Sequence, residues 1–460
     1  MTVMMVTKNK LRSLLWRICF VWVAGLSAGQ AAETPQVWAE THMDELLSFY
    51  RGFHLQPELS FREVNTAARL AAALQECGVD VTTAVGGHGV VGLLKNGDGP
   101  VVMLRADLDA LPVTEQTGLA FSSTVQAGNE DGAEVGVMHA CGHDVHITNL
   151  IGVACYLADN KSLWQGTVML IGQPAEELGA GARAMLDDGL FERFPKPDFA
   201  VALHVSPVMA TGQIGYRPGY TMANVDSVDI TLYGKGGHGA YPHTTIDPVV
   251  QAAQLVLALQ TIVSREVDPV EPAVVTVGSM HAGTKHNIIA ATAQLQLTVR
   301  SFSDEVRQQL LAAIKRKAQA VASGADAPEP LVTVAEGTPS LFNDPALAAR
   351  LKPVFQEVVG KQNIEYSKLS MGGEDFSRYG RAGVPSMMYW LGAVSQERLD
   401  SYKAAAERPP SLHSPLFYPD VEVTLVTGIG TMVATVLELL KPGNVTETQL
   451  DTHQSAGEKR

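Results

Sequence analysis

The sequence is poor in cysteine and short of positive charge. Beyond its first 32 residues, no apolar run approaches the eighteen or so residues of a membrane span. Each shortage excludes something. Four cysteines stand in 460 residues: Cys19, Cys77, Cys141 and Cys155. Cys19 lies in the N-terminal segment, so three remain, an odd number that argues against a disulfide framework in an exported chain. At least one of them should have another task. Basic side chains number 34 against 48 acidic, a formal charge of −14, and a surface this acidic repels phosphate backbones, which excludes nucleic acid as a partner. Also missing are a P-loop, a G-x-S-x-G elbow and an H-E-x-x-H helix, which removes the corresponding nucleotide, serine-hydrolase and zincin readings. The pattern G-x-G-x-x-G does occur, from Gly87 and from Gly234. The first runs into a strand and the second meets Pro242 before any helix, so neither offers a helix end to a pyrophosphate. Internal repeats and low-complexity segments are absent.

What is present begins with a charged, apolar and small-residue order at the N-terminus. Lys8, Lys10, Arg12 and Arg17 precede the apolar run Ile18 to Leu26, and small residues lead to Ala31-Ala32. This order predicts a signal peptide over residues 1–32, and hence an exported chain, periplasmic or secreted. The alternative is an uncleaved anchor, since Leu14, Leu15 and Trp16 lengthen the apolar stretch. After cleavage the chain is expected to be soluble and free of membrane, with a flexible polar tail over residues 442–460.

The length calls for two domains. Helical periodicity runs from Met43 to Leu74, with Gly78 as its stop signal. Val90 to Lys95 and Val101 to Arg105 read as strands, and Asn96-Gly97-Asp98-Gly99 between them reads as a hairpin turn. Thr167 to Ile171 and Phe199 to Leu203 have the character of buried strands, and Ile147 to Ala158 is helical. Strands alternating with helices predict an α/β layer structure. From Asp226 the rhythm changes to strand, helix, strand, strand, helix, strand, ending near Val334. That βαββαβ order is ferredoxin-like. It predicts an inserted domain over residues 225–336, splitting a catalytic domain of residues 33–224 and 337–441.

The chemistry concentrates in a few stretches. In Met138-His139-Ala140-Cys141-Gly142-His143-Asp144, a thiol and an imidazole separated by glycine can turn toward one metal ion. Glu176 and Glu177 follow an apolar strand; adjacent carboxylates point in different directions, so one can bind metal while the other handles a proton. Taken alone, that pair would read as the acidic first turn of a helix. His204 ends the apolar run from Phe199, and His413 lies in a proline-rich loop. Either would pass for an ordinary histidine in isolation. However, Cys141, His143, Glu177 and His204 all follow strands or their connections, where α/β sheets bind ligands. With His413 these donors exceed the needs of one tetrahedral ion, and two ions sharing a ligand would use the excess.

At these residues the sequence resembles the aminoacylase-type branch of the di-metal peptidases, which includes hippurate hydrolases, auxin-conjugate hydrolases and N-acyl-amino-acid amidohydrolases. The matching stretches are LRADLDALP from Leu104, MHACGHD, GQPAEE, ALHV, GKGGHGAYPH from Gly234, GGEDF from Gly372 and LHSP. The resemblance implies a di-metal exopeptidase-like catalytic domain with a ferredoxin-like lid and dimerisation domain. It implies that Cys141, His143, Glu177, His204 and His413 bind two divalent ions, with Glu176 as general base and Asp107 as an orienting carboxylate. The ions would be Mn²⁺ or Zn²⁺, with Ni²⁺ or Co²⁺ as alternatives. It further implies that His238 polarises the scissile carbonyl, from the same chain or a neighbouring one, and that Asn287 and Arg300 hold substrate. The family usually has Asn-Val-Ile-Pro where Asn287-Ile288-Ile289-Ala290 stands, and often Ser at Gly372 or Gly373, departures that bear on substrate preference. The expected protein is an N-acyl-amino-acid amidohydrolase that forms a homodimer through the lid domain. The alternatives are a dipeptidase or carboxypeptidase of the same family, and a non-catalytic periplasmic metal-binding protein.

Overall fold

Strand residues of the large sheet alternate strictly between two apolar layers, and this alternation builds the fold. Val102, Leu104, Val168, Leu170, Val201 and Leu203 enter one core, while Met103, Met169, Ile171, Ala200 and Ala202 enter another on the opposite face. Side chains of a strand point to opposite faces in turn, so a sheet with apolar residues at nearly every position must be covered on both sides. The helices Met43–His54, Val64–Glu76, His143–Asp159 and Val421–Leu439 line the first core, whereas Gly181–Asp187 and Ser377–Arg381 lie on the second. The structure, a computed structural model, describes residues 33–128 and 132–442. The expected signal peptide and most of the expected tail lie outside the described residues.

Eight strands make this sheet, in the order Asp80–Val85, Gly89–Asn96, Gly166–Gln173, Val101–Asp107, Phe199–Ala210, Ser386–Val394, Ile214–Tyr216 and Ile364–Tyr366. The hairpin expected at Asn96 to Gly99 is not formed. Gly166–Gln173 lies between the two strands, antiparallel to Gly89–Asn96 and parallel to Val101–Asp107. The glycine turn is real, with Gly97 and Gly99 at positive φ, but Thr167 N–H bonds to Pro100 carbonyl and a distant strand takes the hairpin partner's place. The true hairpin is one strand earlier, where Gly86 and Gly87 turn Asp80–Val85 into Gly89–Asn96.

The smaller sheet has the order Val274–Ala282, Thr292–Ser301, Asn224–Tyr233, Leu331–Glu336, all antiparallel. Helices Pro248–Arg265 and Asp304–Gly324 cover one face, capped by Asp247 and Ser303. Strand Asn224–Tyr233 alternates buried and less buried positions, and Val228, Ile230 and Leu232 join Leu255, Leu259 and Leu310 in a separate core. This is the ferredoxin-like arrangement. The chain enters and leaves it side by side, since Val225 pairs with Gly337 and Thr338 through backbone hydrogen bonds.

Two further expectations need correction. Cys77 and Cys155 form a disulfide that ties the end of Val64–Glu76 to His143–Asp159, leaving Cys141 free and buried among the described residues. An odd count therefore accommodated one bridge. Among the described residues, Val421–Leu439 is long and apolar enough to cross a membrane, contrary to the reading of the later sequence, but 61 % of its apolar window is buried within the protein.

Candidate metal centre

The parallel strands Val101–Asp107, Gly166–Gln173 and Phe199–Ala210 deliver their site residues to one end of the large sheet. Asp107 ends the first, Glu176 and Glu177 follow the second, and His204 sits in the third. His204 does not end its strand as expected, because pairing with Ser386–Val394 continues to Ala210. Cys141 precedes Gly142, whose φ of 79° makes the turn into His143 at the helix start. A side chain at Gly142 would collide with Val205, so glycine is required on both grounds.

The donors converge. Ligand atoms of Cys141, His143 and Glu177 lie within 4.8 Å of one another. Cys141 Sγ is 3.5 Å from His204 Nε2, and His413 Nε2 is 3.4 Å from Glu177 Oε2. His143 and His204 each place Nδ1 on a backbone carbonyl, that of Asp109 at 2.8 Å and that of Val205 at 2.9 Å. Donation there leaves the Nε2 lone pair free for an ion, which is how a neutral imidazole is oriented as a ligand. His143 Nε2 and Glu177 Oε1 are buried without hydrogen-bond partners among the described residues and face each other at 3.8 Å. Buried polar atoms left unpaired are costly, and a divalent cation between them would satisfy both. The residues therefore fit a metal.

Asp107 has both oxygens committed, one to His146 Nδ1 at 2.6 Å and one to Arg105 Nη1 at 2.6 Å. That suits an orienting role. His146, also close to the cluster, accepts Val205 N–H at its other nitrogen and is thereby occupied. Around them the charge is negative. Burial lowers the His143 pKa, but Asp107 and Asp109 outweigh it and hold the imidazole up at about 10; a site that draws in a proton so strongly also favours a cation.

Glu176 faces another way. Its carboxylate lies with those of Glu374 and Asp375 within 4.8 Å, and burial, followed by the charges of Glu374, Glu177 and Asp375, pushes its pKa well above the carboxylate range. One buried guanidinium answers the group: Arg105 bonds Glu374 at 2.9 Å, Asp375 at 3.2 Å and Asp107. Neither Arg105 nor Glu374 nor Asp375 was identified from the sequence, although LRADLDALP and GGEDF contain them. A cleft of about 460 Å³ opens over the cluster, with Cys141, Glu176, Glu177, His204 and His413 on its floor and walls. Arg300 reaches it from the smaller sheet, half-buried and held by Thr298 at 3.1 Å. His238 and Asn287 are not brought in. Both are exposed on the smaller sheet's loops, where Gly237–His238 pairs with Ile288–Ile289.

Comparison with known proteins agrees with this geometry. The chain is 37 % identical over 351 residues to an N-acetyl-L-cysteine deacetylase of Bacillus subtilis, covering 75 % of this chain and 80 % of the relative. It is 35 % identical over 359 residues to thermostable carboxypeptidase 1 of Saccharolobus solfataricus, covering 77 % and 87 %. A crystal structure of a Bacillus subtilis dinuclear metal binding peptidase from the M20 family superposes with a TM-score of 0.71 at 31 % identity, covering 87 % of this chain and 99 % of that one. Residues 103–408 match the profile of the peptidase family M20/M25/M40. With a dinuclear relative, a fitting donor set and a match across most of the described fold, this chain belongs to that family.

Proposed function

We propose that the protein hydrolyses the amide bond of N-acyl amino acids, releasing the free amino acid and a carboxylic acid. The observation that carries this is the pairing of Glu176 and Glu177 at the cleft floor, one facing the donor cluster and the other facing Glu374 and Asp375. Cys141, His143, Glu177, His204 and His413 would hold two divalent ions, Zn²⁺ or Mn²⁺ with Ni²⁺ or Co²⁺ as alternatives. Bound there, such ions polarise a carbonyl and make water acidic near neutral pH. Glu176 takes a proton from the attacking water and returns it to the leaving nitrogen as the C–N bond breaks. Arg300, a cation half-withdrawn from water, pairs with the carboxylate of the substrate. Asp107 keeps its neighbours in register.

His238 is assigned the scissile carbonyl, as a donor to the oxyanion. Because it stands outside its own chain's cleft, we place it in the site of a second copy, with Asn287 beside it. Residues 33–224 and 337–441 then act as the catalytic domain and 225–336 as the lid and dimerisation domain. The edge strand Val274–Ala282 supports a homodimer: its outer side is unpaired among the described residues and it exposes Met280. Export to the periplasm or medium is part of the same reading, supported by the N-terminal sequence and by the Cys77–Cys155 bridge, which suits an oxidising compartment.

A second reading is a carboxypeptidase or dipeptidase, favoured by the carboxypeptidase relative, since a dipeptide offers the same amide and carboxylate. The experiment is release of free amino acid from N-acetyl and N-benzoyl amino acids and from dipeptides, with Zn²⁺ or Mn²⁺ supplied. The first reading predicts turnover of the N-acyl substrates, abolished by chelation. Turnover of dipeptides alone would favour the second, and silence across the panel with metal bound would contradict both.

A further inference from the structure

The two glutamates at the cleft floor face different ways because of the turn that precedes them. Strand Gly166–Gln173 ends, Pro174 offers no N–H, and Ala175 adopts a φ of 48°, a left-handed conformation that a residue with a Cβ resists. Something outside the turn must hold it. Ala175 N–H donates to Glu63 Oε1 at 2.8 Å. Two residues on, Glu177 N–H donates to Asp109 Oδ2 at 3.0 Å, and Ser60 Oγ donates to that same oxygen at 2.6 Å. Glu63 is wholly buried. Its Oε1 also accepts Phe61 N–H at 2.9 Å, and Phe61 has a φ of 58°. One carboxylate oxygen thus holds two left-handed residues that are not glycine, one beside itself and one in the turn carrying Glu176.

Nothing about packing calls for a carboxylate at this place, since burying one is costly. Its other oxygen, Oε2, is buried without a hydrogen-bond partner among the described residues. We propose that Glu63 is a positioning residue for amide hydrolysis: through Ala175 N–H it fixes the turn that aims Glu176 at the attacking water and Glu177 at the donor cluster. This rests on Glu176 acting as the base. Burial, with Asp109 nearby, pushes the Glu63 carboxyl up to about 7, so an uncharged side chain carrying the same acceptor is close to the native state. Glutamine is such a side chain. Methionine has similar length and no strong acceptor.

The test compares Glu63→Gln, Glu63→Met and Glu176→Gln in the full-length, metal-loaded protein. It measures kcat and KM on an N-acyl amino acid, metal per chain and circular dichroism. Glu63→Met should lose roughly 10²-fold in kcat, the effect of a misplacement of about 1 Å, with KM little changed. Glu63→Gln should stay within a few fold of the parent in both. A folded Glu63→Met with parental kcat overturns the inference, as does a Glu63→Gln that falls tenfold or more; the second criterion decides alone if the methionine variant does not fold. Loss of turnover in Glu176→Gln alongside full activity in Glu63→Met would sink this inference and leave the role of Glu176 standing. Parental activity in Glu176→Gln would remove that role and this inference with it.

Discussion

Cys141, His143 and His204 are buried at one end of the large sheet, whereas His238 and Asn287 stand exposed on loops of the small one. The two groups also differ in how they are held. Each buried histidine has its Nδ1 fixed by a carbonyl, and the carboxylates around it share one guanidinium. The His238 imidazole makes only local contacts among the described residues, accepting Ala240 N–H at 3.0 Å and packing edge-on against Tyr241. One chain therefore gathers the candidate metal donors by itself but leaves the groups assigned to the substrate carbonyl unsupported. Arg300 is the exception, since it crosses from the small sheet into the cleft. Rigid support belongs to the half that organises metal and water, and exposure to the half that must meet a ligand or a second surface.

The comparison can be pressed by substitution, starting with the largest effect. Glu176→Gln should retain metal and lose about 10²-fold or more in kcat, the lower range for a general base; elemental analysis with steady-state kinetics checks both. His238→Ala should cost about 10²-fold in kcat, as for an oxyanion donor, with metal content unchanged because His238 lies outside the cluster. Arg300→Met should act mainly on KM, by about tenfold, through loss of one charged hydrogen bond.

The smallest effect on turnover, and a clear one on stability, is expected at His54. It is buried between Asp144 at 2.7 Å and Glu115 at 3.2 Å. Burial lowers its pKa, but the hydrogen bonds to these carboxylates raise it from 6.5 to about 9. For Glu115, burial raises the pKa, and the bonds from His54 and Thr117 bring it down from 4.5 to about 2. Stability from the charged imidazole is complete below pH 6.5 and lost as pH rises through about 9; that from Glu115 is complete above pH 4.5 and lost as pH falls toward 2. His54→Ala should cost about 3 kcal/mol at pH 6, and flatten the alkaline decline in melting temperature. An unchanged pH profile would remove the ion pair from the account.

Much of this was legible in the sequence, for physical reasons that also mark the limits. The small sheet's central strands, Asn224–Tyr233 and Thr292–Ser301, alternate in burial, and such a pattern survives in one dimension. The five candidate donors stand out in the sequence because their residue types are rare and fall after strands, in loops or, for His204, within a strand. His146 was not separable from His143 by spacing; only the bond from Val205 N–H shows that its second nitrogen is taken. Glu63, Asp109 and Glu374 act through buried hydrogen bonds to residues far away in sequence, and no local pattern announces those. The Asn96 to Gly99 turn misled for the same reason, since a strand some seventy residues later displaced the local partner. Cys77 and Cys155 are 78 residues apart, brought together by helix packing.

The proposed division between a metal centre gathered within one chain and a carbonyl-binding group borrowed from a second is tested most directly by mixing two inactive variants, His238→Ala and Glu176→Gln. Activity is followed under conditions that demonstrably exchange subunits. In a mixed dimer one site combines Glu176 of one chain with His238 of the other, and hydrolysis of an N-acyl amino acid should return to about a quarter of the parent's rate per chain in an equal, statistical mixture. Exchange without recovery would contradict the shared site and return His238 to its own chain or remove it from the reaction.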